Sequence, residues 1–469
     1  MYNYKRTATS VILVTFLLFI VGASAQRGYE YENFGNRSVL LNGNVTGSVD
    51  DLGAVYYNPA RLALIENPGF LIQGKLYEWN NLTIENLVPE QRFTSSNFNG
   101  LPGMLAGSID ILGTTFYYSS ISRNRVDLSL NYNSGLLKTE AQEILPEDNQ
   151  ESLSLSLNNK LREDWFGLTW AYPISENVAI GFSLFASSYR YSGGDALRLV
   201  RQNQDNQVSV YESNMNFSQR SYGIYGKVGA AWILPGWELG INLDLPYLEI
   251  YEKSSFYFDE VLSNTEGEDR IIIDDLADLS SRHKTPLSIN IGAGIPWKRH
   301  KFHLNASWYA PVEIYDRIDI PVLGSETGNN AVLLFREKRR TVINFGTGAE
   351  IFFNEETSGF LSFSTDFSPL READELLGDQ SGIGISNAIA FDNYHFGGGM
   401  NFRFNNLDVV LGLVHSVGRQ IFEPARDVPF LSNLLPQNSF TIKNARWRFL
   451  LGLNISLGEL FKITPEKEQ

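Results

Sequence analysis

The sequence predicts an all-β fold, a transmembrane antiparallel β-barrel of about 14 strands around an N-terminal plug. Three observations carry the expectation. Segments of about ten residues alternate apolar and polar side chains, the connections between them alternate short and long, and no run after the N-terminus reaches the ~20 apolar residues of a helical span. Of 469 residues, 43% are hydrophobic and 19% charged, with 40 Gly, 30 Phe, 22 Tyr and 8 Trp. Aromatic rings suit pleated surfaces and glycine suits turns and bulges, so this composition favours strands.

At the N-terminus, Lys5 and Arg6 precede an apolar run from Val11 to Val21 and then Ala23-Ser24-Ala25. This is the three-part pattern of a secretory signal cleaved before Gln26. The expected layout is a signal peptide over 1–25, a plug over 26–67, a barrel over 68–461 and a periplasmic tail over 462–469. With 0 Cys, a disulfide framework, a thiolate metal site, a Cys nucleophile and a lipoprotein-type anchor are all excluded. A net charge of −15 argues against a nucleic-acid partner, since phosphate recognition needs clustered Lys and Arg.

The stretch from Ser48 to Leu64 is neither a good strand nor a good helix. It holds small residues, the adjacent carboxylates Asp50 and Asp51, and an Asn58-Pro59 corner, and it reads as a piece packed inside a shell. Pro59 fixes its own φ and biases Asn58 away from helix. Inside a barrel, Asp50 and Asp51 are expected to draw donors from the wall, and losing those donors is a candidate trigger for opening.

Strands are expected over 69–77, 104–121, 125–136, 162–172, 178–191, 219–234, 237–250, 286–297, 301–312, 340–353, 357–370, 391–404, 407–418 and 446–457. In the ninth, Phe302, Leu304, Ala306 and Trp308 oppose His303, Asn305, Ser307 and Tyr309. Short connections fall at 122–124, 173–177, 235–236, 298–300, 354–356 and 405–406. Long ones fall at 78–103, 137–161, 192–218, 251–285, 313–339, 371–390 and 419–445. Tight turns at one end and long loops at the other are the mark of an outer-membrane barrel, and an even strand count puts both termini at the short-turn, periplasmic end. Lipid on the outside forces the sheet to close. Tyr172, Tyr189, Trp232, Trp237, Trp297, Trp308 and Tyr309 are candidates for aromatic girdles.

Two long loops stand apart. The acidic stretch 262–284 surrounds Ile271-Ile272-Ile273 and is expected to hold a short helix. The stretch 421–440 carries Phe430, Leu431, Leu434 and Leu435, a candidate ligand-capture surface or lid.

Catalytic and metal chemistry finds no foothold. His300 and His303 point to opposite faces of a strand, and His283, His395 and His415 are isolated, so no metal or cofactor is expected. Neither a nucleophile elbow nor a phosphate loop is present, and the expectation is that the chain is not an enzyme. Gly292-Ala293-Gly294, Gly346-Thr347-Gly348 and Gly397-Gly398-Gly399 lie in strand patterns, where they mark bulges, kinks or close packing.

The run Gly47-Ser48-Val49-Asp50-Asp51-Leu52-Gly53-Ala54-Val55-Tyr56-Tyr57-Asn58-Pro59-Ala60 resembles the N-terminal plug of the FadL family of outer-membrane transporters for hydrophobic compounds. The layout of the whole mature chain is similar to that family's plugged barrel. The resemblance implies passive uptake of hydrophobic molecules such as long-chain fatty acids, captured by outer loops and released when the plug rearranges, often through a lateral gap in the wall. It assigns plug and gating roles to Asn58, Pro59 and Ala60, with Asp50 and Asp51 as weaker matches. Family barrels commonly end on a terminal aromatic. Here a charged tail follows Phe461. The implied partners are outer-membrane lipid and a hydrophobic small molecule or detergent. Relatives that include PorV-like proteins serve as barrel subunits of secretion assemblies, so other outer-membrane proteins are the alternative partners.

Overall fold

The computed structural model describes residues 28–65, 69–85, 92–135, 150–203, 205–264, 269–324, 330–369, 383–385, 392–422 and 440–455. The wall opens with β1 (Phe70–Glu85), β2 (Arg92–Ile111), β3 (Thr114–Asn133), β4 (Gln150–Ser175), β5 (Val178–Gln202) and β6 (Val208–Leu234), each antiparallel to the next. The next two wall strands are each broken in two: β7 (Trp237–Asp244) with β8 (Leu248–Ser263), then β9 (Arg270–Leu279) with β10 (Ser288–Trp297). After β11 (His300–Tyr309) the chain leaves the wall as β12 (Val312–Ile318), β13 (Leu323–Gly324), β14 (Asn330–Ala331) and β15 (Leu333–Arg339). It returns as β16 (Val342–Phe352) and β17 (Thr357–Asp366). A short β18 (Ile383–Ile385) pairs with β15, and β19 (Asp392–Phe404), β20 (Leu407–Phe422) and β21 (Phe440–Ile455) complete the wall. Pairing of β21 with β1 closes a 14-strand antiparallel barrel.

Side-chain alternation sets what each face meets. On β5, Ile180, Phe182 and Leu184 are exposed while Ala179, Ser183 and Phe185 are buried. On β10 and β11, Ile291, Phe302 and Leu304 face out while Ser288, Asn290, His303 and Ser307 face in. An apolar outer face over a polar interior inverts the pattern of a water-soluble sheet and identifies lipid as the solvent of the outer wall. Tyr172, Trp232, Trp237 and Trp297 lie exposed near the short turns, where a girdle belongs. Tyr189 and Tyr309, expected with them, instead point into the lumen, at 3% and 8% exposure.

The structure corrects several boundaries. The turn expected at 122–124 is a bulge inside β3, and the chain reverses at Leu112-Gly113, with φ of 52° and 77°. Two successive left-handed residues form the tight hairpin whose twist matches the sheet. Among the described residues, most of what is expected as long loop is strand: β4, β5 and β6 run for 26, 25 and 27 residues against the ~9–11 that cross a bilayer. Past the lipid belt the outward face turns polar, as at Ser188 and Arg190, so the apolar contrast fades while pairing continues. The acidic stretch expected to hold a helix is strand β9, paired with β8 through Ile271↔Val261 and Asp274↔Phe258. The Ile271-Ile272-Ile273 run is β-branched, which favours a strand.

The wall parts at two places. β2 and β3 pair only from Met104 to Ile111, beyond which β2 stays with β1 and β3 with β4. At the other place β12 turns away from β9, joined to that side by a bridge from Ser281 to Ile318. Between them a six-stranded sheet, β3–β4–β5–β6–β8–β9, rises beyond the membrane belt. The β12–β15 hairpin folds against its inner face, where Ile318, Leu333 and Phe335 pack with Tyr191, Phe217, Phe256 and Ile272.

Candidate functional site

Residues 28–65 lie within the barrel and meet its wall nearly all the way round. They include a single helical turn, α1 (Ala54–Tyr57), and a 3-10 turn from Pro59 to Leu64. The segment lies against alternate glycines on the inward faces of the strands. A Cβ on Gly452 collides with Asn36, on Gly412 with Leu40, on Gly346 with Asn44, on Gly292 with Gly47, on Gly240 with Thr46, and on Gly181 with Pro59 and Ala60. Glycines two apart share a face, so the three Gly-rich triplets are docking ground for this segment.

Asp51 organises the segment from within. Its carboxylate accepts the backbone N–H of Asn36 at 2.8 Å, Arg37 at 2.6 Å, Ser38 at 2.9 Å and Gly53 at 2.8 Å, and the Ser38 hydroxyl at 2.9 Å. These donors belong to the segment itself, which corrects the expectation that the wall supplies them. Burial pushes the Asp51 carboxyl above the usual range, against the pull of those hydrogen bonds. Asp50 is held lower: burial opposes ionisation, but Arg37, Lys301 and His303 outweigh it. Arg37 donates to Asp50 at 2.7 Å and also pairs with Glu350 of the wall, so Asp50 reaches the barrel through Arg37.

Asn58 ties the corner down. Its Oδ1 caps the Ala60 N–H at 3.1 Å, and its Nδ2 donates to the carbonyls of Thr46 at 2.9 Å and Ala230 of β6 at 3.0 Å. Pro59 and Ala60 sit over Gly181 and Gly229. The segment's start is clamped by a buried ion cluster, in which Arg446 and Arg448 of β21 each hold Glu32 at 3.1 Å. Ser48 bonds His303 Nδ1 at 2.7 Å, so that histidine serves the seam between segment and wall.

Above the segment, under the β12–β15 hairpin, lies a cavity of about 140 Å³. Tyr29, Tyr31 and Tyr56 of the segment form its floor, with Trp165, Tyr189, Tyr225 and Tyr309 on the walls and Arg317, Glu337 and Arg339 from the hairpin as its roof. The rings touch in chains: Tyr29 stacks on Tyr309 at 4.1 Å, and Trp165 lies 4.4 Å from Tyr225 and 5.9 Å from Tyr56. Ion pairs hold the roof and one wall, with Arg317 on Glu337 at 2.9 Å and Lys227 on Asp244 at 2.8 Å. A second cavity of about 40 Å³ adjoins it, lined by Glu30, Glu32, Lys227, Asp244 and Tyr309 among others. Among the described residues, no group of three or more His, Asp or Glu side chains is arranged to hold a metal ion.

Of the residues singled out from sequence, Asn58, Pro59, Ala60, Asp50 and Asp51 all fall in the inner segment. Tyr56, between them, is the one from that stretch that lines the cavity. The proposed capture residues Phe430, Leu431, Leu434 and Leu435 lie outside the described residues, as do the signal peptide and the C-terminal tail. Of the cavity's wall, the sequence singles out Tyr189 and Tyr309, as girdle candidates rather than lumen residues. Arg123 falls in an expected turn, and Glu163, Trp165, Lys227 and Asp244 are single inward positions on strands whose neighbours carry the apolar signal.

No protein-family model matches the chain, and no curated protein matches it. Solved structures do. The structure of a Pseudomonas aeruginosa FadL homologue superposes with a TM-score of 0.52 at 9% identity, covering 92% of this chain and 99% of that one. The P. putida toluene transporter TodX gives 0.53 at 10% identity, over 91% and 99%. The CymD monoaromatic hydrocarbon channel gives 0.51 at 13% identity, over 90% and 97%. What these likenesses establish is architecture: the chain has the fold of the FadL-type and TodX-type barrels.

Proposed function

We propose that this protein is a passive outer-membrane channel for small hydrophobic compounds, aromatic ones foremost, gated by its N-terminal segment. One observation carries the reading: an aromatic cavity lying between that segment and an infolded hairpin, in a barrel whose outer face is apolar. Its volume, about 140 Å³, is close to the ~150 Å³ of a cavity that accepts benzene, and below the ~300 Å³ where drug-sized pockets begin. Room for one ring favours cargo of the kind named for the toluene and monoaromatic hydrocarbon channels over a long alkyl chain. Nothing in the cavity's make-up calls for catalysis, and diffusion down a gradient needs no cofactor.

Uptake of labelled toluene and labelled oleate, compared between cells with the chain and a deletion strain, tests this directly. Toluene uptake is expected to fall several-fold on deletion and oleate uptake to change less. Equal toluene uptake in both strains would overturn the channel reading. The tall six-stranded sheet beyond the lipid belt favours a second reading, a barrel subunit docked to large partners. A pulldown returning this chain alone counts against it.

A further inference from the structure

Arg123 stands apart among the charges of the main cavity. Lys227 is paired with Asp244, and both Arg317 and Arg339 with Glu337. Among the described residues, no carboxylate pairs with Arg123. Its Nη2 donates to the Tyr29 carbonyl at 2.9 Å and its Nη1 to Asn124 Oδ1 at 3.3 Å. Its Nε is buried without a partner. Glu163 is occupied elsewhere, accepting from Asn124 at 2.6 Å and from the Trp165 indole at 2.8 Å. The guanidinium carbon lies 5.4 Å from the centre of the Tyr56 ring and 5.6 Å from that of Trp165. The bulge between Ser122 and Asn124 sets this position apart, because it breaks the inward–outward register of β3 there.

We propose that the cavity binds a small aromatic carboxylate, its ring among Tyr56, Trp165, Tyr225 and Tyr309 and its carboxylate on Arg123. This rests on the channel reading and narrows its cargo. A neutral ring fills the space but leaves a buried cationic donor unpaired, and such a donor costs more than a neutral one. A carboxylate satisfies it with charge-assisted bonds about twice as strong as neutral ones. An organic amine of the same size meets a lining with four cations, Arg123, Lys227, Arg317 and Arg339, against the three carboxylates Glu163, Asp244 and Glu337, and an aliphatic acid forgoes the ring contacts.

Titration calorimetry on the purified full-length protein in detergent, with benzoate, toluene, benzylamine and acetate as probes, tests the assignment. Benzoate is expected to bind at least tenfold more tightly than each of the others. Arg123→Gln is expected to weaken benzoate about tenfold or more, and Arg123→Lys by less, since it keeps the charge and loses the fork. Toluene binding as tightly as benzoate to the wild type overturns the proposal, and this comparison stands even where a variant does not fold. So does an Arg123→Gln protein that still runs as a folded, heat-modifiable barrel and binds benzoate as the wild type does. Toluene permeating proteoliposomes of the wild type without any preference for benzoate removes the anion assignment alone. Permeation by neither removes the channel reading with it.

Discussion

Replacing Asn58 by alanine removes the cap on Ala60 and leaves the buried carbonyl of Thr46 and the half-buried carbonyl of Ala230 without their amide donor. Each buried polar group left unpaired costs about 1–3 kcal/mol, so docking of the N-terminal segment is expected to weaken by roughly 2–4 kcal/mol. Hydrogen exchange should show amides of residues 44–62 losing protection while the wall strands keep theirs. Unchanged protection would mean that this corner does not hold the segment. The importance of Asn58 was legible in the sequence, since an Asn-Pro pair fixes a corner wherever it occurs. Which carbonyls the amide reaches was not legible, because Ala230 lies 172 residues away. Asp51 shows the same division: a buried carboxylate demands donors, but nothing in the chain's order says that Asn36 to Ser38 supply them.

At the scale of the element, the inward glycines are the discriminating feature. Valine at Gly181 drives its side chain into the backbone of Pro59 and Ala60, and valine at Gly292 into the backbone of Gly47. Neither glycine has a positive φ, so valine suits the strand and the cost falls on docking. Each substitution is expected to leave a heat-modifiable barrel while raising protease cleavage within residues 28–65 several-fold. A barrel whose segment stays protected would show that the seam has slack. Strand number and the positions of most tight turns were readable from period-2 alternation and turn residues. Strand length was not. Beyond the lipid belt Leu153 still faces in and Ser152 out, but Asn158-Asn159-Lys160 offers no apolar contrast to read.

For the molecule as a whole, pH bears on how firmly the segment is seated. Glu30 reaches the wall through Tyr309, whose hydroxyl donates to it at 3.1 Å, and its N–H donates to Asp366 at 2.9 Å. Burial raises the Glu30 carboxyl to about 7, helped by Asp366 and opposed by Ser307, Tyr309 and Arg123. A raised acid stabilises the docked state when protonated. Its contribution is complete below the undocked value of 4.5 and is lost as pH rises through about 7. The segment is therefore expected to loosen between pH 4.5 and 7, by up to about tenfold in its docking equilibrium per pH unit. A spin label on the segment should report the change, and Glu30→Gln should flatten it. A profile that keeps its slope in Glu30→Gln assigns the effect to another group.

Sequence alone determined that the chain is a closed barrel of fourteen strands with short turns at one end and an irregular piece upstream. Alternation, turn residues and the cost of an open edge in lipid are all local or solvent-imposed constraints. Only the tertiary structure decided where the hairpin of β12 and β15 goes, where the wall parts, and which side chains share the lumen. Arg123, Trp165, Lys227 and Tyr309 come from four different strands, and what brings them together is the circumference of the barrel, a quantity that no window of sequence contains.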